Sequence, residues 1–181
     1  MEQDFELSIA LLSRAPATLN ALLRDLPNAW TLSDEGEDTM TPREVVAHLI
    51  DADLTNWIPR TQVILQHGEL HPLPSFDRFG KIRASRDQSL SQLLDEFAKV
   101  RAQKLDELCK FNLRPEDLTR SGRHPALGVI TLSQLLAAWA THDLTHLHQI
   151  SRILAHQYSQ AVGPFHRFLG VLQCAGHSAS T

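Results

Sequence analysis

Thr131 and Gln134 form a capping box directly ahead of an apolar-periodic run that continues to about Gln157. Thr41, Pro42 and Glu44 make a second start of the same kind, with an N-cap, a proline suited to the first helical position and a reciprocal glutamate. Helix starts marked this firmly, each opening a run of several turns, constrain the chain toward an all-α fold. The first long stretch runs from about Phe5 to Leu26, on a stripe of Leu7, Leu11, Leu12, Leu19, Leu22, Leu23 and Leu26. Pro16 falls inside it and should kink or divide it. The second runs from Thr41 through His48, Ile50, Leu54 and Trp57 to Gly68, with a kink or break expected at Pro59. The third covers about Ser91 to Phe111, on Leu93, Leu94, Phe97, Val100, Leu105 and Leu108. A short last helix, Phe165 to Gln173, follows the break at Gly163-Pro164.

Strand signals are scarce. No Asn-Gly or Asp-Gly stands between alternating apolar runs, and Leu127 to Ile130 is too short to found a sheet. Trp30–Met40, His71–Ser85 and Pro115–Gly128 read as irregular connections. Four long helices joined this way predict a four-helix bundle, one domain over residues 1–175, and a polar tail over 176–181.

The formal charge of −4, with Lys and Arg spread thinly, argues against a nucleic-acid partner. No apolar segment approaches the length of about 20 residues that a membrane helix needs. The acidic start, Met1 to Glu6, lacks the positive region of a signal peptide. Cys109 and Cys174 form no CxxC pair, so each is read as a small buried or half-buried apolar residue. A soluble cytoplasmic protein is expected.

The chemistry lies in the histidines. In Trp139 to Ile150, His142 and His146 stand four apart, which puts two imidazoles on one helix face, one turn apart. A third, His48, lies about two turns into the second helix, at the depth a central site needs. Three neutral imidazoles with an open position make a reactive metal centre, and so histidine-rich a donor set favours Zn²⁺ or Ni²⁺ over Mg²⁺ or Mn²⁺. Asp143 and Asp51 are candidates to orient a ligating ring or to act as a base. The chain contains ten histidines, so some pairs fall at helical spacing by chance. His148 points well away from the face of His142 and His146, while His71 and His124 could reach the mouth of the site. The zinc-protease pattern fails because Asp143 stands where Glu is required, and a diiron set lacks its glutamates.

Three segments together carry a family resemblance: Thr41 to Asp51 around His48, His124 to Ile150 around His142 and His146, and Ala161 to Leu169 around Gly163-Pro164. In their order and spacing the chain resembles the DinB-like superfamily, the DinB/YfiT group of metalloenzymes, from about Leu7 to Leu172. The resemblance implies an up-down-down-up four-helix bundle and a divalent metal held by His48, His142 and His146. It further implies a homodimer, and a transferase or isomerase using a low-molecular-weight thiol as one known activity. From the residues themselves, thiol S-transfer and hydrolysis of a small-molecule substrate stay equally open. So does a non-catalytic metal-binding helical dimer, acting through partners.

Overall fold

The computed structural model describes residues 5–37, 39–77 and 80–174. The tail over 176–181 lies outside them. The helices are α1 (Phe5–Leu12), α2 (Ala15–Leu23), α3 (Asn28–Thr31), α4 (Pro42–Ala52), α5 (Ile58–His67), α6 (Gly80–Ala84), α7 (Leu90–Lys110), α8 (Pro115–Leu118), α9 (Leu132–His156) and α10 (Gly170–Gln173). A π-helical turn, Asp53–Trp57, joins α4 to α5, and β1 (Ser121–His124) pairs with β2 (Gly128–Thr131). Among the described residues no helix is long and apolar enough to cross a membrane.

Local chemistry sets most boundaries. Thr41 accepts the Glu44 N–H while the Glu44 carboxylate accepts the Thr41 N–H, so α4 begins on a complete capping box. Thr131 and Gln134 do the same for α9. Ser89 and Gln92 do it for α7, whose start falls one residue before the expected one. Pro16 divides the first stretch, as its position predicts, and the break turns part of the leucine stripe outward. Leu12, Leu19 and Leu23 are buried, but Leu7, Leu11 and Leu22 are exposed. Pro59 breaks nothing. Its ring would crowd the carbonyl of Thr55, and the wider π turn immediately before it relieves that crowding while the rod continues.

Three further expectations are corrected. The connection before α9 contains an antiparallel hairpin with His124 opposite Gly128. Its three-residue loop, Pro125 to Leu127, leads into Gly128 at φ 75°, a left-handed position that a longer hairpin loop uses and that no Asn-Gly or Asp-Gly pair marks. The His124 Nδ1 accepts the N–H groups of Ala126 and Leu127, both at 3.2 Å, and closes that loop. At the C-terminal end, the expected helix is a 3₁₀ segment, Gly163–Phe168, followed by the single turn of α10, with Phe165 and Phe168 exposed. Cys109 and Cys174 are both free and exposed rather than half-buried.

The helical rods enclose two apolar clusters. One gathers Leu19 and Leu23 of α2, Val46, Leu49 and Ile50 of α4, Leu93 and Phe97 of α7, and Ile150 and Ile153 of α9. The other gathers Leu12, Trp57, Ile58 and Ile64 with Leu108 of α7 and Leu132, Leu136 and Trp139 of α9. Charged and polar side chains occupy the level between them.

At that level Arg101 is 1% exposed. Its Nε donates to Asp53 at 2.7 Å, its Nη2 donates to both Asp53 and Asp143 at 3.0 Å, and its Nη1 donates to the Leu12 carbonyl at 2.9 Å. A further Nη1 bond goes to Asp143. Trp139 Nε1 donates to Asp53 at 3.0 Å. One guanidinium thus faces two buried carboxylates. Burial raises the Asp53 carboxyl to about 6, although Arg101 pulls it the other way. Burial raises Asp143 as well.

Removing one partner of such a network strands the others in low dielectric. Arg101→Leu is therefore expected to cost about 3–5 kcal/mol in urea unfolding. The pH dependence has a defined sign. Asp53 ionises near 3.8 in the unfolded chain and about 6 in the fold, so the folded state holds the extra proton between those values. Its contribution to stability is complete below the lower value and is lost as pH rises through the upper one. Denaturant midpoints measured across that window should fall with rising pH, and Asp53→Asn should flatten the slope.

Candidate metal centre

His48 sits on the inward face of α4, and His142 and His146 sit one turn apart on α9, at the polar level between the two clusters. His48 and His146 are 4% and 3% exposed. The Nε2 of His142 lies 3.2 Å from that of His48 and 3.1 Å from that of His146. Ligand atoms of the three rings all lie within 4.8 Å of one another.

This spacing is a chemical statement. A single imidazole Nε2 offers one hydrogen or one lone pair. The His142 Nε2 cannot therefore donate to both neighbours, and three converging lone pairs repel. One cation satisfies all three. Nitrogens about 2.0–2.1 Å from a tetrahedral ion lie about 3.3–3.4 Å apart, close to the separations found here. The three rings fit a divalent ion, with the remaining position open.

The ring orientations have identifiable causes. His146 Nδ1 lies 2.8 Å from Gln149 Oε1, one turn along α9. With the ring N–H donating to that oxygen, Nε2 is left as a lone pair aimed at the centre. Trp57, in the π turn, stands edge-on to His142 with centroids 5.3 Å apart and stacks on Trp139 at 5.8 Å. Phe76, from the connection after α5, lies 5.5 Å from the His48 ring. The irregular connection over His71–Ser85 thus touches one of the three rings.

The two acidic candidates stand elsewhere. Both oxygens of Asp143 are held by Arg101, because one step along a helix turns the side chain about 100° from His142, toward α7. Asp143 is 2% exposed, and what it fixes is the helix that carries His142. The Asp51 carboxylate accepts the Lys81 N–H at 3.3 Å and so meets the first turn of α6. A Cβ on Gly80 would approach the same oxygen to 3.0 Å, so α6 sits close against α4 at this point. His148 is half-buried, and His67, His71, His156 and His166 are exposed. His124 meets Arg60, with its Nε2 3.1 Å from the guanidinium.

Sequence reading left out Gln149, Arg101, Asp53 and Phe76. Gln149 had a usable signal, a carboxamide three residues after a ligating histidine. Arg101 had one too, a charge four residues after Phe97 on an apolar face. Nothing in the sequence directed Phe76 to His48.

Similarity to known proteins agrees with this geometry. No curated protein matches the chain. Among solved structures the fold is similar to YfiT from Bacillus subtilis, described as "a probable metal-dependent hydrolase with an unusual four-helix bundle topology". The TM-score is 0.71 at 20% identity, with 90% of each chain covered. The model of the DinB superfamily matches residues 11–150, a span that holds all three histidines and most of the helical framework. The chain belongs to the DinB superfamily.

Proposed function

We propose that the protein is a metal-dependent enzyme that hydrolyses a small molecule, with His48, His142 and His146 as the protein ligands of Zn²⁺ or Ni²⁺. The observation that carries this reading is that His142 Nε2 lies 3.1–3.2 Å from the Nε2 of His48 and of His146, close to the spacing around a tetrahedral ion, with ligand atoms of all three rings within 4.8 Å of one another. A divalent ion on this triad supplies Lewis acidity and lowers the pKa of a bound water or thiol toward neutrality. The chain's own residues do the rest. Gln149 fixes the tautomer of His146. Trp57 and Phe76 cover His142 and His48 and exclude water from their ring faces. Asp143 and Asp51 act at one remove, the first through Arg101 and the second by holding α6.

Thiol S-transfer calls for the same three ligands and differs only in the nucleophile. The choice between the reactions is therefore a matter of which nucleophile is consumed. The up-down-down-up connectivity belongs to this reading as well. Its support is the order in which α2, α4, α7 and α9 supply the two apolar clusters, α4 and α7 running one way and α9 the other.

Protein purified without chelator and analysed for metal should contain about one Zn²⁺ or Ni²⁺ per chain. His142→Ala should lose that ion while keeping the helical circular dichroism. Purified protein that neither contains nor takes up a stoichiometric ion would overturn the reading. A panel of activated esters and amides, run with and without low-molecular-weight thiols, separates the two reactions: turnover independent of thiol is expected. For the tautomer, Gln149→Ala should weaken metal affinity by about 10–100-fold in a competition titration against a chromophoric chelator.

A further inference from the structure

Arg60 is a buried cation without a counter-charge. It is 6% exposed, on α5, one turn beyond Trp57. Its Nε and Nη2 donate to the Pro74 carbonyl at 3.1 and 2.9 Å, and its Nη1 meets His124 Nε2 at 3.1 Å. Pro74 offers a neutral carbonyl and His124 a neutral imidazole, and no carboxylate reaches Arg60 among the described residues. The other buried arginines among the described residues each have one: Arg101 has Asp53 and Asp143, and Arg152 has Glu35. A guanidinium carries five N–H donors. The Pro74 carbonyl takes two and His124 at most one, which leaves at least two N–H groups on the Nη atoms without an acceptor among the described residues.

A second, independent donor is left over nearby. Trp57 is 5% exposed, and its Nε1–H has no acceptor among the described residues. Buried donors in a native fold are nearly always satisfied, so this one calls for an acceptor. Trp57 and Arg60 lie three apart along the rod, on neighbouring turns of one face. Trp57 touches His142. The carbonyl that Arg60 holds belongs to Pro74, two residues before Phe76, which touches His48. The two donor-bearing residues are therefore each linked, through Trp57 itself and through the 74–76 segment, to a ring of the three-imidazole centre.

We infer that Arg60, with Trp57 Nε1, forms a subsite for the carboxylate of the substrate, so that the small molecule handled at the metal centre is an organic monoanion. The inference rests on the metal-dependent reading for its place in catalysis, but the subsite itself is a matter of binding. Charge balance selects a carboxylate. One guanidinium neutralises one negative charge, whereas a phosphate dianion would leave a charge uncompensated in a dry site. The paired N–H groups of a guanidinium also match the two oxygens of a carboxylate. His124 stays neutral beside the guanidinium, since burial and the adjacent Arg60 both hold its pKa below the ordinary range. The hairpin that carries it therefore packs against the same guanidinium.

The test titrates sodium benzoate, with benzamide as the neutral shape control, into the wild type, Arg60→Gln and Trp57→Phe. Binding is read by thermal shift and by calorimetry, and metal content is measured on every sample. The wild type should favour benzoate over benzamide. Arg60→Gln should weaken benzoate by about 10–100-fold, with benzamide and metal content unchanged. Trp57→Phe, which keeps the ring and removes the donor, should weaken benzoate by about 3–10-fold and keeps the test decisive if Arg60→Gln unfolds. No preference for benzoate in the wild type, or equal benzoate affinity in the variants, would overturn the inference even where the metal is fully bound. Conversely, a chain that holds no metal but still prefers benzoate through Arg60 would keep the subsite and lose the metal-dependent reading.

Discussion

Arg101 is the point through which the bundle is fastened. Projecting from α7, it hydrogen-bonds the last residue of α1, the first residue of the π turn and the residue after His142 on α9. Four segments distant in sequence are thereby held at one level, the level of the metal centre. Hydrophobic contact alone is non-directional and would let these rods slide by a fraction of a turn. A guanidinium fork with two carboxylates does not, because its bonds lie in a plane and have fixed lengths. The imidazoles need that constraint. Their nitrogens must meet within a few tenths of an ångström, and they come from two helices that touch each other mainly through apolar side chains.

The π turn belongs to the same arrangement. An extra residue in the turn before Pro59 relieves the ring clash and also changes which side chains α4 and α5 present inward. Asp53 enters the Arg101 network, and Trp57 reaches both Trp139 and His142. The indole stack separates Arg101, which lies over Trp139, from the imidazoles next to Trp57. A cation kept behind two aromatic rings repels a bound dication less than one at the ring edge would. The two carboxylates around it also outnumber its charge. Neutral histidines can then serve as ligands without an anionic partner among them.

What could be read in the sequence was whatever local chemistry determines. Capping boxes need only neighbouring residues, so the starts of α4 and α9 were legible to the residue, and so was the pairing of His142 with His146 on one face. That His48 faces them needed the family resemblance or a guess at depth. Failures arose where a partner lies far along the chain. Asp143 sits beside a ligand in sequence, yet a helix turns adjacent side chains apart, and whether the turned one meets solvent, a metal or Arg101 depends on α7. Pro59 looked like a break because a proline is judged against an α-helical turn, not against the π turn that receives it. The hairpin escaped because its loop has three residues and a left-handed glycine, while its strands are too short to show alternation.

The buried arginines separate framework from site in a way the histidines alone do not. Arg101 and Arg152 are matched by carboxylates from other segments, and a matched pair is complete within the fold. Arg60 is met by a carbonyl and a neutral imidazole, which leave its charge uncompensated. Desolvation lowers its pKa, the signature of a cation held out of water without an anion to repay the loss. A staple between a helix and two loops could be built from a neutral amide at far lower cost. The charge itself therefore needs a reason, and the chain places it one turn from Trp57, which touches His142, rather than in the ion-paired layer around Arg101.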